Sequence, residues 1–318
     1  MERIWTWALG ALVAVAANPA LAAPKVAVSI VPIHSLVAGV MQGVAEPTLL
    51  IPVGTSPHTY ALKPSDARTL QQADLIVWVG ETLENFLAKP LASLGGKARV
   101  VEVSDIDGLT LYDVREGGAF EGHAHSQGHA HSHGKKAAAK KAPEHDDDMH
   151  LWLDPDNARL IVTQIATELA GLDTANAARY ADNASVMHDR IAALDQGIKT
   201  RLSAVQDRPY IVFHDAYQYF ERHFGTTIVG SITVSPDQAP GAKRLGELRE
   251  KLRTSAAACV FREPQFPAPV VDTLVGGTNV KVGVLDPEGA NLTPGADAYF
   301  TLMDRIADSL ATCLSPAS

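Results

Sequence analysis

The chain has 318 residues, 46% of them hydrophobic and 20% charged, with a formal net charge of −9. That balance suits globular α/β domains and is too polar for a membrane bundle. An acidic chain with no basic stripe excludes a nucleic-acid partner, and the length is enough for two domains of ordinary size.

Residues 1–23 read as a secretory signal peptide. Arg3 is the sole positive charge, followed by the apolar run Ile4–Ala17 and then Pro19-Ala20-Leu21-Ala22-Ala23, a small-residue cleavage site. The run is short for a membrane span, and no cysteine at the cleavage site could carry a lipid. The expectation is a mature, soluble protein exported from the cytosol.

Residues 24–172 are expected to form a first α/β lobe. Its strands are Lys25–Val31, Thr48–Val53, Leu75–Val79 and Arg99–Val103. Its helices are Pro32–Gln42, Ser65–Gln72 and Thr82–Leu94. Strands alternating with helices predict a parallel sheet covered on its faces. The stretch Gly117–Asp148 interrupts this pattern with Gly, Ala, Lys, His and Asp and almost no large apolar groups, so it is expected to be disordered. Order resumes at His150, with a helix over Asp156–Leu169.

Residues 173–206 are expected to link the lobes. Thr174–Val205 has helical apolar spacing, no proline and one interior glycine, Gly197. One unbroken helix there would be about 48 Å long, a rigid strut. Residues 207–318 form a second α/β lobe. Its strands are Tyr210–Phe213, Thr226–Gly230, Ala257–Phe261 and Lys281–Leu285. Its helices are Tyr217–Phe224, Ala242–Thr254, Pro267–Val275 and Asp297–Leu314. A cleft between two such lobes is a usual place for a small ligand.

Three histidines fall near element ends, where open α/β folds bind ligands. His58 follows the second strand through a turn, His150 follows the polar insert, and His214 ends the strand Tyr210–Phe213. Three neutral imidazoles with one open position suit Zn²⁺, whereas Mn²⁺ would favour carboxylates. Asp286 could be a fourth ligand, accept a hydrogen bond from a ligand imidazole, or simply start an Asp-Pro turn. Asp215 is a further candidate to orient a ligand. His34, His188 and His223 are read as structural or solvent-facing.

The insert carries His123, His125, His129, His131, His133 and His145, six of the chain's 12 histidines, beside Asp146-Asp147-Asp148. Such density reads as an accessory metal-binding loop of modest affinity, because an open chain loses entropy when it wraps an ion. Cys259 and Cys313 are the only cysteines. After export such a pair is most simply a disulfide, with two buried free thiols as the rival.

Several stretches resemble the metal-specific periplasmic substrate-binding proteins of cluster A-I. Gly54-Thr55-Ser56-Pro57-His58 with Lys63-Pro64-Ser65-Asp66 is similar to their first ligand loop. Met149-His150-Leu151-Trp152-Leu153-Asp154-Pro155 is similar to the second, and Phe213-His214-Asp215-Ala216-Tyr217 to the third. Phe261-Arg262-Glu263-Pro264-Gln265-Phe266 and Leu285-Asp286-Pro287 continue the match, which spans essentially the whole mature chain. The nearest subgroup is the zinc-binding ZnuA type, which the paired cysteines also fit.

The resemblance implies two α/β lobes joined by one long helix, with metal between them. It also implies delivery to an ABC permease in the inner membrane with a cytoplasmic ATPase. The family's manganese members carry Glu where this chain has His214, which favours zinc. Several zinc members have an acidic residue where this chain has Pro57, so water or Asp286 is left as the fourth ligand. The expected protein is a periplasmic, monomeric zinc carrier and not an enzyme. The alternatives are a manganese carrier or adhesin of the same family, or a zinc-dependent hydrolase in which Asp286 or Glu263 serves as base.

Overall fold

A computed structural model describes residues 22–93, 96–115, 120, 147–233, 241–255 and 257–316. Nearly all of the signal segment and all six insert histidines lie outside these residues.

The first half builds one parallel sheet. Strands β1 (Val26–Val28), β2 (Thr48–Leu49), β3 (Leu75–Trp78) and β4 (Arg99–Glu102) lie in the order β2-β1-β3-β4. Helices α1 (Val31–Val40), α2 (Pro64–Gln72) and α3 (Asn85–Ser93) connect them. All residues of β1 and β3 are buried. Continuous burial is what a parallel strand covered on both faces requires. Three expected elements are clearly shorter: the first strand, expected over Lys25–Val31, is only Val26–Val28, with Val31 already in α1. The strand from Thr48 ends at Leu49, and the third helix starts only at Asn85. Leu50 and Ile51 still donate backbone hydrogen bonds to Val28 and Ser29. The apolar run therefore lies along the sheet edge while the chain leaves the strand to form the next loop.

Helix α4 (Pro155–Leu172) opens with Asp154 as N-cap, whose carboxylate accepts from the Asp156 N–H, and with proline in the first turn. A 3₁₀ turn at Thr174–Asn176 then precedes α5 (Ala177–Leu202). The expected single helix is thus a turn followed by a helix of 26 residues, about 39 Å long. The Asp173 side chain, accepting from Asn176 and from the Tyr180 hydroxyl, ends one segment and starts the next.

The second half repeats the plan. Strands β5 (Pro209–His214), β6 (Thr227–Thr233), β7 (Cys259–Arg262) and β8 (Lys281–Val284) form a parallel sheet ordered β6-β5-β7-β8. Helices α6 (Gln218–Phe224), α7 (Ala242–Thr254), α8 (Pro269–Val275) and α9 (Ala298–Leu314) accompany them. Cys259 on β7 and Cys313 on α9 form a disulfide, Cα to Cα 6.1 Å, that closes a loop across 54 positions. In the chain-entropy description such a closure contributes about 4 kcal/mol. Gly283 on β8 lets this corner close, because a Cβ there would stand 2.4 Å from the Phe261 ring and 3.4 Å from Cys313 Sγ.

The halves are not separate bodies on a flexible hinge. One hydrophobic cluster runs from α1 residues Ile33 and Leu36, through Ile191 and Ile198 of α5, to Tyr299 and Ile306 of α9. Helices α1, α4 and α9 all pack on α5. Polar bonds cross the same boundary. The Trp152 indole N–H donates to the Pro287 carbonyl at 2.9 Å. The Tyr299 hydroxyl donates to the Trp152 carbonyl at 3.1 Å, and the Tyr299 amide to Ser35 Oγ at 2.8 Å. Among the described residues, no helix is long and apolar enough to cross a membrane.

Candidate metal centre

Each of three histidines is held by a different device. His58 sits on the loop that leaves β2, and its backbone N–H donates to Ser56 Oγ. That loop is anchored at its far end by Asp66, which accepts from the Tyr60 hydroxyl at 2.7 Å and from the Lys63 N–H at 2.8 Å. Burial would raise the Asp66 carboxyl, but these bonds outweigh it and hold it below the usual carboxylate range. His150 caps the 3₁₀ turn Leu151–Leu153, which leads into Asp154 and α4. His214 is the last residue of β5, one of the two inner strands of its sheet.

These devices bring the imidazoles together. One ligand atom from each of His58, His150 and His214 lies within 4.8 Å of the other two. Nε2 of His214 is 3.2 Å from Nε2 of His150. Two nitrogens on a tetrahedral zinc at ordinary bond lengths would stand about 3.3 Å apart. Nε2 of His58 is buried and has no hydrogen-bond partner, a costly state unless something binds there.

The far side of two rings is already committed. His214 Nδ1–H donates to both carboxylate oxygens of Glu263, at 2.7 and 2.8 Å. His150 Nδ1–H donates to Asp148 Oδ1 at 2.8 Å. Both carboxylates are buried. Giving Nδ1–H to a carboxylate fixes the tautomer and leaves Nε2 as the ligand atom.

The protonation levels follow from the same contacts. Burial would lower His214, but the Glu263 carboxylate outweighs it and the ring is held above the ordinary histidine value. Burial would raise Asp148, but its bonds to His150 outweigh that and keep it below the carboxylate range. His58 is pushed well below the ordinary value by burial and by the two neighbouring imidazoles.

The other candidates go elsewhere. Asp286 Oδ1 accepts from the N–H groups of Glu288 and Gly289 and from the Gln265 amide, and its Oδ2 accepts from the Ala290 N–H. Both oxygens hold a turn, and Asp286 lies outside the group of three. Asp215 does not orient a ligand. Its carboxylate takes the Arg115 guanidinium, with Arg115 Nε at 2.8 Å, and Arg115 also reaches Glu221.

The expected disordered stretch ended one ordered segment too late. Asp147 bridges to Asp113, and the buried Asp148 donates its N–H to the Tyr112 carbonyl and accepts from the Tyr219 hydroxyl through its own carbonyl. Composition missed Asp148 because an aspartate ending an acidic run looks like solvated chain. The signal available was its place two residues before His150. In the sequence Glu263 stands within a stretch similar to the family and as a candidate base of the hydrolase alternative, not as a partner of His214. Its role appears because β7 lies beside β5 in the sheet. His34 Nε2–H donates to the Pro47 carbonyl at 3.0 Å, and His188 Nε2 lies 3.1 Å from Thr163 Oγ1, both away from the three.

Comparison with known proteins gives the family. Residues 26–313 match the family described as ZnuA, zinc-uptake complex component A, periplasmic. The chain belongs to the ZnuA family. The "high-affinity zinc uptake system protein ZnuA" of Brucella suis is 46% identical over 305 residues, covering 91% of both chains. A crystal structure of ZnuA superposes with a TM-score of 0.76 at 24% identity, covering 92% of this chain and all of that one. A ZnuA deletion mutant crystallised with zinc bound gives 0.74 at 22% identity, covering 93% of this chain and all of that one. ZnuA-family substrate-binding proteins are metal carriers and not enzymes, so the hydrolase alternative falls.

Proposed function

We propose that this ZnuA-family chain captures one Zn²⁺ ion as cargo on His58, His150 and His214 and delivers it to the permease of a zinc-uptake ABC transporter. The observation that carries the reading is the meeting of three imidazoles within 4.8 Å, one of them with an unpartnered buried nitrogen. Nitrogen-only donors favour zinc over manganese. Asp148 and Glu263, each one hydrogen bond behind a ring, supply two negative charges that offset the charge of the ion. Water completes the tetrahedron, because Asp286 is committed to its turn.

The remaining assignments belong to the same proposal. Residues 1–23 are a cleaved signal peptide that places the protein in the periplasm. Residues 24–172 and 207–318 are the two lobes, 173–206 the link, and the His-rich insert an accessory collector. The continuous core over α1, α5 and α9 supports a carrier that opens little, so release would depend on the transporter.

The test is zinc titration of the mature chain against a competing chelator, with Mn²⁺ as a second competitor. One tight Zn²⁺ equivalent that His58→Ala removes is expected. Tight binding that survives loss of any one of the three histidines would refute the site. Lobe rotation of tens of degrees on zinc removal, measured by solution scattering, would refute the limited opening.

A further inference from the structure

His223 on α6 is a further, partly buried histidine facing acids. Its side chain is 9% exposed, and both ring nitrogens meet carboxylates. Nδ1 is 3.0 Å from Asp154 Oδ1 and 3.9 Å from Asp156 Oδ2, both at the start of α4. Nε2 is 2.8 Å from Asp195 Oδ1, within α5. Two of the three flanking acids are steadied by a cation, while Asp154 Oδ1 also accepts the Asp156 N–H. Lys199 Nζ holds Asp195 Oδ2 at 2.8 Å, and Arg159 Nη1 holds Asp156 Oδ1 at 3.0 Å.

An imidazole that gives Nε2–H to a fixed carboxylate presents Nδ1 as a ligand atom. Here Nδ1 faces two further carboxylates, and ligand atoms of Asp154, Asp156 and His223 all lie within 4.8 Å of one another. We propose that Asp154, Asp156 and His223 form a second divalent-cation site, separate from the three-histidine centre, with Asp195 orienting the imidazole. One nitrogen and two carboxylate oxygens suit Zn²⁺ or Mn²⁺. Asp156 is 65% exposed, so an ion can enter from solvent without any opening of the core. Once bound, the ion ties α6, which follows His214, to α4, which follows His150.

The proton is its competitor. Burial would lower His223, but its bonds to Asp154 and Asp195 outweigh this and hold the ring above the ordinary histidine value. The charged groups facing it are Asp154, Asp156 and Arg159 from α4 and Asp195 and Lys199 from α5. A cation bound there takes the place of the Nδ1 proton.

The test uses crystals of the full mature chain soaked in excess ZnCl₂ at pH 8, with zinc anomalous maps. A second peak bonded to His223 Nδ1 and to the Asp154 and Asp156 carboxylates is expected. In equilibrium dialysis with Zn²⁺, Asp156→Asn should bind one equivalent fewer than the parent chain while its tight-site affinity stays unchanged. Any ions on the insert are common to both chains and cancel. No peak at His223 in a zinc-loaded crystal, or equal stoichiometry for the two chains, would overturn the proposal. So would loss of the same equivalent in His58→Ala alone, since the two sites are separate.

Discussion

Glu263 accepts from His214 Nδ1 with both carboxylate oxygens, at 2.7 and 2.8 Å, across two adjacent strands of one sheet. Replacing it by glutamine keeps a hydrogen-bonding group but removes the charge and the preference for Nδ1–H. Glu263→Gln is expected to weaken zinc binding by about 10–100-fold, the usual cost of losing a partner behind a metal-bound histidine. Chelator competition measures it, with circular dichroism to show that the fold is kept. An unchanged affinity would mean that Glu263 only fills space.

Zinc affinity should fall as pH falls, and the ring that governs this is His214. All three imidazoles must be neutral at Nε2 to bind. His58 is already held well below the ordinary value, so it costs nothing near neutrality. His214 is held above it by Glu263 despite burial, so zinc displaces a proton at any pH below that raised value. Affinity measured from pH 8 to pH 5 should drop continuously, with proton release on binding in calorimetry. A flat profile would exclude histidine ligation.

Removing residues 117–146 should leave one tight zinc site, because His150 and its partner Asp148 remain. Extending the cut through Asp148 should weaken that site by about 10–100-fold, since His150 Nδ1 then loses its acceptor. Side-by-side titration of the two deletions checks this. Equal affinities would remove Asp148 from the account.

Asp286→Ala should harm stability more than affinity. It strips acceptors from three backbone N–H groups and from Gln265, at a cost of roughly 1–3 kcal/mol per buried group left unpaired. Urea unfolding reads the loss. Tight zinc binding that disappears in a still-folded variant would restore Asp286 as a ligand.

Reduction of Cys259–Cys313, or Cys313→Ala, should lower stability by about 2–4 kcal/mol. The three-histidine centre should be untouched, because the bridge ties β7 to α9 and neither cysteine contacts a ligand ring. Thermal melts with and without reductant test this.

Local pattern was enough for the strands and most helices. Continuous apolar runs such as Leu75–Trp78, short and rich in branched residues, suit strands covered on both faces, and the Asp154-Pro155 start of α4 is written in its capping chemistry. The candidate histidines could also be named, because each stands at an element end and in a stretch similar to a known ligand loop. The break before α5 was not legible. It depends on Asp173 bonding forward to Asn176 and Tyr180, whereas the apolar spacing runs on without interruption.

What the chain's order of residues determined by itself was two α/β halves, a long connecting helix and three histidines at their edges, since these follow from short-range periodicity and turn chemistry. Only the folded molecule decided which acids stand behind those rings. Asp148 and Glu263 reach them through a loop closure and a strand pairing, while Asp215 is drawn to Arg115 and Asp286 to its own turn. Partners so distant in sequence are chosen by packing, and no local pattern encodes that choice.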